Sequence, residues 1–531
     1  MSHRTDNVLA IVIICLGTFM IQLDGSIVIL ALPRIQADLH ASLADLQWTV
    51  DAYTLPFAVL LLMAGTLGDR FGRKRFFLLG FLLFVAGSAL CGFAPTLSWL
   101  LCGRVIQGSG AAALSTNSLA LLVIAFPEPK VRAQAIGLFT GISAIALAVG
   151  PLIGGVLTQF GSWPLIFLVN LPLGVLALIL AVPGLSESRN PNARQLDLPG
   201  QLLAIATLVC LVMALIESSS VGWTSPLIIG LFAGAVVGLS AFIGVETRVR
   251  EPLIPLQLLQ IPVFSAASLI TFMLSCVLAA PVFFLAQYFQ EVQGFSVLEA
   301  GLRTLPLTVG IFLAAPVAGR ITSRIGPRPP IILGGLLCTI GMALLLTLEP
   351  GSSYASLWGM LALLGIGFGL MLSPLTAAIF SATPPERAGL GSSLFNATRQ
   401  VGTTLSIAVL GTFVLQQFSN AISSQLIGRG VPVAISTVFA HNVAAAGAQA
   451  SQSTQAEQLP IAPLALHQAL NQAFVDALHG MFLIAAIALL VATLLAVFLL
   501  KPDQASKSVE RVSTQAIPAA QVASAVNAEE R

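Results

Sequence analysis

The stretch GTLGDRFGRKR, residues 65–75, is a short charged segment between two long apolar runs. It holds one acid, Asp69, together with three glycines and four basic residues. This pattern is typical of a turn at which a membrane-spanning chain reverses its direction. Because positively charged loops stay on the cytoplasmic side of a membrane, the turn is predicted to face the cytoplasm.

The composition of the whole chain agrees with a membrane protein. Hydrophobic residues make up 56% of the sequence and charged residues 9%, and the mean hydropathy is +0.94. A water-soluble globule carries about 25% charged residues, so this chain has too little polar surface to fold in water. The six cysteines lie in apolar runs without CxxC spacing, which predicts neither disulfides nor a metal site.

Apolar runs of about 20 residues can cross the roughly 30 Å of membrane hydrocarbon as helices. The first run begins at about Val8 and is interpreted as a retained span, because no small-residue cleavage site follows it. Fourteen spans are predicted, near 8–31, 47–67, 76–94, 97–125, 133–157, 164–183, 200–217, 225–245, 263–289, 304–318, 330–348, 355–376, 388–417 and 478–500. With both termini inside, nineteen of the 24 basic residues fall in cytoplasmic segments.

An internal repeat divides the predicted spans. The sequence GRITSRIGPRP at 319–329 aligns without a gap with residues 65–75 and pairs Gly65 with Gly319 and Arg70 with Arg324. The fold expected is an all-α membrane protein with two pseudo-symmetric six-helix bundles and two inserted central helices. In such repeats the substrate site lies between the halves, near the middle of the membrane.

The predicted domains follow from this division. An N-terminal bundle covers 1–183, a linker with two extra spans covers 184–260, and a C-terminal bundle covers 261–500. The C-terminal bundle includes an exterior loop at about 419–477, rich in Ala, Gln and Ser, with a helix predicted from Leu464 to Leu478 and Pro463 in its first turn. The tail 501–531 is predicted to be a disordered cytoplasmic segment.

Several motifs resemble those of the major facilitator superfamily, in its fourteen-span drug:proton antiporter branch. Besides the turn at 65–75, they are LDGSIVILALP at 23–33, RVIQGSGAA at 104–112, GPLIGG at 150–155, GFSVLEAGL at 294–302 and FNATRQVG at 395–402. The chain departs from the family pattern at GSWP, 161–164, which lacks a basic residue, and at Ser323, which stands where an acid would match Asp69.

The resemblance implies roles for two motifs. In the 65–75 turn, a latch between inward-open and outward-open states is assigned to Gly65, Gly68, Asp69, Arg70, Gly72 and Arg73. In the fifth span, the motif associated with antiport is Gly150, Pro151, Gly154 and Gly155. The residues themselves add that proline bends a helix and that glycine permits close helix contact.

Two charges lie deep in predicted spans. A carboxylate in hydrocarbon is expensive, so Asp24 is predicted to be functional and to face a cavity. Asp24 lies seven residues before the outer end of span one and Arg104 seven residues after the outer start of span four, so both reach similar depths. We expect a pair in which a proton on Asp24 releases Arg104; a pair that only fixes helix packing is the alternative.

Other polar residues complete the predicted site. Asp51 is a second candidate for proton coupling, although it lies only about four residues inside its span, where it could reach the interface. A polar stripe on span thirteen predicts a cavity wall, with interhelical hydrogen bonding as the alternative. The predicted cavity-lining residues are Gln22, Gln107, Asn396, Arg399, Gln400 and Thr403.

The function expected is a proton-coupled antiporter of the inner membrane that exports hydrophobic or cationic drug-like compounds. Neither a phosphate-binding loop nor an HExxH or GxSxG motif is present, so the chain is not expected to be an enzyme, and it needs no cofactor beyond a proton gradient. Its expected partners are a small amphipathic substrate, protons, the lipid bilayer and a periplasmic adaptor, with no nucleic acid, and it is expected to be monomeric. The alternatives are an exporter of an endogenous lipid, peptide or secondary metabolite, and a membrane receptor that does not transport.

Overall fold

The computed structural model of the protein describes residues 2–126, 128–189, 197–249, 251–253, 258, 260–382, 388–446 and 462–500. Over these residues all regular secondary structure is helical, which confirms the all-α class. The α-helices are α1 Ser2–Leu39, α2 Leu43–Phe71, α3 Arg73–Gly92, α4 Leu97–Ala125, α5 Pro129–Phe160, α6 Leu165–Leu168, α7 Asn170–Gly184, α8 Leu198–Val221, α9 Pro226–Glu246, α10 Pro262–Cys276, α11 Ala279–Gln287, α12 Val297–Ile325, α13 Arg328–Leu344, α14 Tyr354–Ser381, α15 Ala388–Leu405, α16 Gly411–Gly428, α17 Val433–Ala446 and α18 Pro463–Leu499.

Thirteen helical segments in the described part of the chain are long and apolar enough to cross a membrane. Some of them contain two α-helices joined by a short segment that is not α-helical, such as 262–292 and 394–428. Helix α5 has 32 residues, but its described apolar run is the shorter Val149–Phe160. A multi-pass membrane protein is therefore confirmed, and a total of fourteen spans stays a prediction.

The helix of the ninth predicted span is broken in the middle, which the sequence pattern did not indicate. Pro281 lacks the N–H that would bond to the carbonyl of Val277, the residue after the end of α10, and the helix restarts at Ala279 as α11. The Ser406 hydroxyl accepts a hydrogen bond from the Ala280 N–H at 3.0 Å. Ser406 begins a five-residue π-helical segment, Ser406–Leu410, which joins α15 to α16.

The region predicted as an exterior loop at about 419–477 is largely helical where it is described. Helix α16 continues to Gly428, and α17 packs on it through the buried side chains of Phe439 and Val443. The helix expected at 464–478 and the last span are one continuous helix, α18, of 37 residues. Because its interior contains no proline, nothing in α18 forces the helix to end near 478. Residues 447–461 and the tail 501–531 lie outside the described residues.

The internal repeat extends well beyond the matching turns. Helices α2 and α12 both have 29 residues, and each begins with a capping box, Ser42 with Asp45 and Ser296 with Glu299. Each ends at a glycine with positive φ, 121° at Gly72 and 86° at Gly326. Only glycine adopts such angles without strain, so the same residue is needed at both turns.

The helices before residue 185 pack mainly on one another, and so do those after 261; we call these sets the N-terminal group and the C-terminal group. In the N-terminal group α4 contacts α1, α2 and α3, and α1 also contacts α5 and α7. A cluster of buried phenylalanines, Phe77, Phe81 and Phe84, fills the space around α3. We name the two ends of the molecule by the residues that flank α2. The Leu39 end is where α1 finishes and α2 begins, and the Gly72 end is where α2 finishes.

Among the residues that the structure describes, the hydrogen bonds between the two groups lie in the half of the molecule nearer the Leu39 end. The Leu298 N–H donates to Gln159 Oε1 at 3.2 Å, and Gln290 Nε2 donates to the Leu30 carbonyl at 3.2 Å. The hydroxyls of Thr54 and Thr404 are 2.9 Å apart. The two groups are therefore joined by hydrogen bonds at the Leu39 end.

Helix α8 of the inserted pair follows α2 along much of its length. Gln201 donates to the Val59 carbonyl, and Trp48 Nε1 donates to Glu217 Oε1 at 2.9 Å. Near the Leu39 end α8 also reaches the C-terminal group, because Thr412 donates to the Leu215 carbonyl at 2.8 Å. The inserted pair thus lies beside the contact between α2 and the α15–α16 segment.

The first prediction concerns the close contact of α3 with α4. A Cβ added at Gly110 would lie 2.6 Å from the Phe84 nitrogen, a backbone atom that cannot move alone. Gly110→Ala should therefore lower the melting temperature of the purified protein, because forcing extra volume into a packed contact costs ~1–3 kcal/mol. Gly230→Ala in α9, with nothing within 4 Å of the added Cβ, is the matched control. Equal melting temperatures for the two variants would show that the contact is not tight.

Candidate functional site

The centre of the site is an ion pair between α1 and α4. Arg104 Nη1 lies 2.6 Å from Asp24 Oδ2, and the two side chains are 1% and 0% exposed. Helices α1 and α4 pack together, and the similar depths expected from the sequence bring the two residues into direct contact. The predicted pair is present, and in this conformation it is sealed from solvent.

Both charges of the pair are surrounded by hydrogen bonds. Asp24 Oδ1 accepts from Gln107 Nε2 at 2.7 Å and from Asn170 Nδ2 at 3.3 Å. Arg104 donates from Nη1 to Gln107 Oε1 at 2.8 Å and from Nε to the Thr49 carbonyl at 3.0 Å. A buried charge is tolerated only when it is paired and hydrogen-bonded in this way. We call these five residues the ion-pair network.

Two aromatic rings cover the guanidinium group. The Cζ atom of Arg104 is 4.3 Å from the centre of the Tyr53 ring and 5.7 Å from that of Phe167. A cation over an aromatic face is attracted by the ring electrons, more strongly where water is excluded. The hydroxyl of Tyr53 is itself buried and has no hydrogen-bond partner. The rings leave Arg104 without a route to solvent unless the helices move.

The sequence interpretation missed two side chains that hydrogen-bond in the site, those of Asn170 and Ser88. Asn170 was passed over although it is a polar residue inside the apolar run 164–183. Ser88 accepts a hydrogen bond from Gln107 Nε2 at 2.9 Å, and nothing about a lone serine in a span indicates such a role. A polar residue inside an apolar run could have identified Asn170 as a candidate site residue.

Asp51 does not join the ion-pair network, although it lies on α2 two residues after Thr49, which does. It is 0% exposed, its Oδ1 accepts from the Thr54 hydroxyl at 3.0 Å, and its Oδ2 has no hydrogen-bond partner. Thr54 in turn contacts Thr404 of the C-terminal group. The expectation that Asp51 could reach the membrane interface is wrong, because the side chain is buried between helices.

The 65–75 turn is held by partners in the N-terminal group and in the chain that follows α7. Asp69 pairs with Arg73 at 2.6 Å, and Glu187 accepts a hydrogen bond from the Lys74 backbone N–H at 3.1 Å. Gly68 lies against Asn117 of α4, and the Arg73 N–H donates to the Ser188 carbonyl at 3.0 Å. Of the other residues assigned to the latch, Gly65 lies in α2, Arg70 lies over the ring of Phe71, and Gly72 adopts positive φ.

The glycines of the fifth-span motif bring α5 close to α1 of its own group and to α12 of the C-terminal group. A Cβ at Gly150 would clash with the Ser26 hydroxyl, and one at Gly154 would lie 2.8 Å from the Ile27 carbonyl oxygen. A Cβ at Gly155 would lie 2.8 Å from the Leu298 Cα in α12. Pro151 lies inside α5, and its carbonyl oxygen is the close neighbour of Gly301. The motif thus permits backbone contact next to the segment that carries Asp24.

The residues predicted to line a cavity fall into two sets. Gln107 and Gln400 are buried, and Gln107 belongs to the ion-pair network. The others, Gln22, Asn396, Arg399 and Thr403, are partly exposed. Thr403 donates to the Arg399 carbonyl, and the guanidinium of Arg399 forms no ion pair with any residue that the structure describes.

In the segment 161–164, where the chain lacks the basic residue of the family pattern, Trp163 makes a polar contact with α1. Trp163, in the segment that lacks the usual basic residue, donates from Nε1 to Asp38 Oδ2 at 2.9 Å. The ring of Trp163 also meets that of Phe167 edge-on, with centres 6.3 Å apart. A contact at the end of α1 is therefore made by an indole N–H.

Comparison with known proteins gives consistent matches. The family model described as Major Facilitator Superfamily matches residues 14–407. The multidrug resistance protein Stp of Mycobacterium tuberculosis (strain CDC 1551 / Oshkosh) is 39% identical over 81% of this chain and 80% of its own length. The tetracenomycin C resistance and export protein of Streptomyces glaucescens is 36% identical over 79% of this chain and 78% of its own length.

A solved structure shows the same fold. It is that of a bacterial homologue of the human lysosomal transporter Spinster, in an inward-facing and unoccupied conformation, with a TM-score of 0.60. The match covers 93% of this chain and 98% of that one, at 19% sequence identity. At this identity the likeness concerns the fold alone.

The second prediction tests the energetic coupling of Arg104 with Asp24. Removing one partner of a buried ion pair leaves an uncompensated charge and costs ~3–5 kcal/mol, whereas removing both costs less. Arg104→Gln alone should therefore lower the melting temperature more than the double variant Asp24→Asn/Arg104→Gln does. Thermal unfolding of the four proteins of this cycle gives the interaction energy. Additive effects of the two substitutions would contradict a direct pair.

Proposed function

Because the chain belongs to the major facilitator superfamily, we propose that it exports hydrophobic or cationic drug-like compounds across the cytoplasmic membrane in exchange for protons. The chain is a multi-pass membrane transporter and not an enzyme. The proposal adds the direction, the coupling ion and the substrate class. Drug export is supported by relatives named for resistance to tetracenomycin C and to puromycin and for multidrug resistance.

The proposed architecture has fourteen spans in the inner membrane, with both termini in the cytoplasm. Helix α5 supplies the span that is not among the thirteen apolar segments. Six spans then form each of the two groups, and α8 with α9 is the inserted pair. The four basic residues of the turn at 65–75 support an orientation with the Gly72 end in the cytoplasm and the Leu39 end outside.

This orientation assigns a state to the molecule. The contacts between the groups at Leu298, Gln290 and Thr404 are at the outer end, so that end is closed. In a transporter that rocks two groups of helices about a central site, closure at one end accompanies opening at the other. The conformation is accordingly the one that would take up substrate from the cytoplasm.

The observation that carries the coupling is the buried pair of Asp24 with Arg104. A proton on Asp24 would remove the negative charge and leave the guanidinium without its counter-ion. Arg104 would keep its bonds to Gln107 Oε1 and Thr49, so the links that weaken are those from α4 and α7 to α1. Because α1 also borders α5 at Gly150 and Gly154, weakening that link alters the packing at the antiporter motif.

The 65–75 turn is proposed to act as the latch that controls the change between the inward-open and outward-open states. Gly72 at positive φ and the Asp69–Arg73 pair give the turn one defined shape. Glu187 then ties this turn to the chain that leads into α8. The turn would thereby connect movement of the N-terminal group to the inserted helices.

The third prediction tests export and coupling together. Purified protein in liposomes with an imposed pH gradient should move protons when an amphipathic cation such as ethidium is added. Cells that produce the protein should also tolerate more of the same compound than cells that lack it. Transport of ethidium that neither needs nor dissipates the pH gradient would contradict the proposed antiport.

The fourth prediction concerns Asp24. Asp24→Asn cannot bind and release a proton, so proton-coupled export should be lost while the protein is still made and inserted. Asp38→Asn is the matched control, an exposed acid on the same helix α1. Export rates as a function of pH in liposomes provide the measurement. If Asp24→Asn retains export with the pH dependence of the unaltered protein, Asp24 is not the proton carrier.

A further inference from the structure

Asp51 lies in a buried polar contact between the two helix groups, which we call the seam. On the α2 side the seam contains Gln47, Asp51 and Thr54, and on the other side Thr404 and Gly411. We propose that Asp51 is a second proton-binding site that closes the outer, Leu39 end when protonated and opens it when ionised. This inference rests on the proposed proton antiport and adds to it the group that controls the outer gate.

The surroundings of Asp51 suit a neutral carboxyl group and not a carboxylate. The residue is 0% exposed, one oxygen has a single hydrogen bond from Thr54, and the other oxygen has none. Isolated buried carboxylates cost so much free energy that such groups bind a proton instead. In the conformation described here, Asp51 therefore holds a proton.

Charged groups on the helices around α2 do not compensate Asp51. Arg104 of α4 points its Nη1 to Asp24 and its Nε to the Thr49 carbonyl, and it forms its ion pair there. Glu217 of α8 has the wrong sign and accepts from Trp48. Arg399 of α15 lies five residues before Thr404 and forms no ion pair among the residues described. Helix α16 has no charged residue, and the His441 side chain of α17 lies outside the description.

The contrast with Asp24 makes the assignment specific. Asp24 is equally buried, but it receives hydrogen bonds from Arg104, Gln107 and Asn170, all within the N-terminal group. Rocking of the groups leaves those partners together. Asp51 instead connects through Thr54 to Thr404 of the other group, so rocking changes its surroundings directly.

The closed seam is only weakly held, as a gate requires. Both polar atoms of the Gln47 amide are buried without a hydrogen bond next to Gly411, and Asp51 Oδ2 is unpaired. Each unsatisfied buried polar group destabilises the closed form, a penalty that water removes when the seam opens. Loss of the proton would add a buried negative charge to these penalties and shift the balance to the open form.

The sign of this effect fits exchange of protons for substrate. A proton taken up by Asp51 from outside would close the outer end and favour the inward-open state. Release of the proton would then destabilise the closed seam and allow substrate to leave on the outside. Low pH therefore favours the closed outer end, and high pH favours the open one.

The test measures the distance across the outer end. Spin labels on p-acetylphenylalanine at Ser98 and Ala355, which are exposed at the starts of α4 and α14, leave the native cysteines untouched. Double electron–electron resonance on the reconstituted protein should show a short distance at low pH and a growing long-distance population as pH rises. Asp51→Asn, which stays neutral, should lose the long-distance population at every pH.

A second pair of variants keeps the test decisive if Asp51→Asn does not fold. Thr404→Ala removes a bond present only in the closed seam, so opening should begin at lower pH. Thr376→Ala is the matched control, because among the described residues its hydroxyl bonds to the Leu372 carbonyl of its own helix, and its midpoint should equal that of the unaltered protein. Equal midpoints for the two threonine variants would overturn the proposal.

The remaining outcomes separate this inference from the proposed function. If Asp51→Asn opens with an unchanged pH midpoint while Asp24→Asn loses the response, the antiport proposal stands and the role of Asp51 is refuted. An outer end that does not respond to pH in the unaltered protein also refutes it. If Asp24→Asn still opens with pH and Asp51→Asn does not, the gate is assigned to Asp51.

Discussion

The cost of placing charge inside a membrane is the constraint on which the rest of this structure depends. Arg104 and Asp24 can be buried because each is neutralised by the other and because Gln107, Asn170 and the Thr49 carbonyl add hydrogen bonds to them. The partners come from five helices: α1, α2 through the Thr49 carbonyl, α3 through Ser88, α4, and α7 through Asn170. This requirement holds the N-terminal group together as a unit.

The two halves of the chain share a backbone plan but not the acid of the 65–75 turn. Capping boxes at Ser42 and Ser296 and glycines of positive φ at Gly72 and Gly326 occur at equivalent places. The acid at Asp69, by contrast, has Ser323 as its counterpart. Repeated local geometry therefore builds two similar groups of helices, whereas the acid of the 65–75 turn is not repeated.

Two buried acids on neighbouring helices have different surroundings, and this difference suggests different roles. Asp24 has a cation and two amides within one group of helices, whereas Asp51 has one hydroxyl and lies between groups. A charge that is compensated inside a rigid unit responds to local packing. A charge that would be uncompensated between moving units responds to the separation of those units, because opening admits water.

The sequence by itself determined the membrane class, the repeat and the depth at which Asp24 and Arg104 meet, since hydropathy and the helical rise are local and regular. It could not show that Asn170 and Gln107 join them or that Asp51 points into a seam. Those facts depend on how each helix is rotated about its axis and on which distant helix it faces. Such pairings join residues more than 80 positions apart, as Asn170 joins Asp24, and only the tertiary structure fixes them.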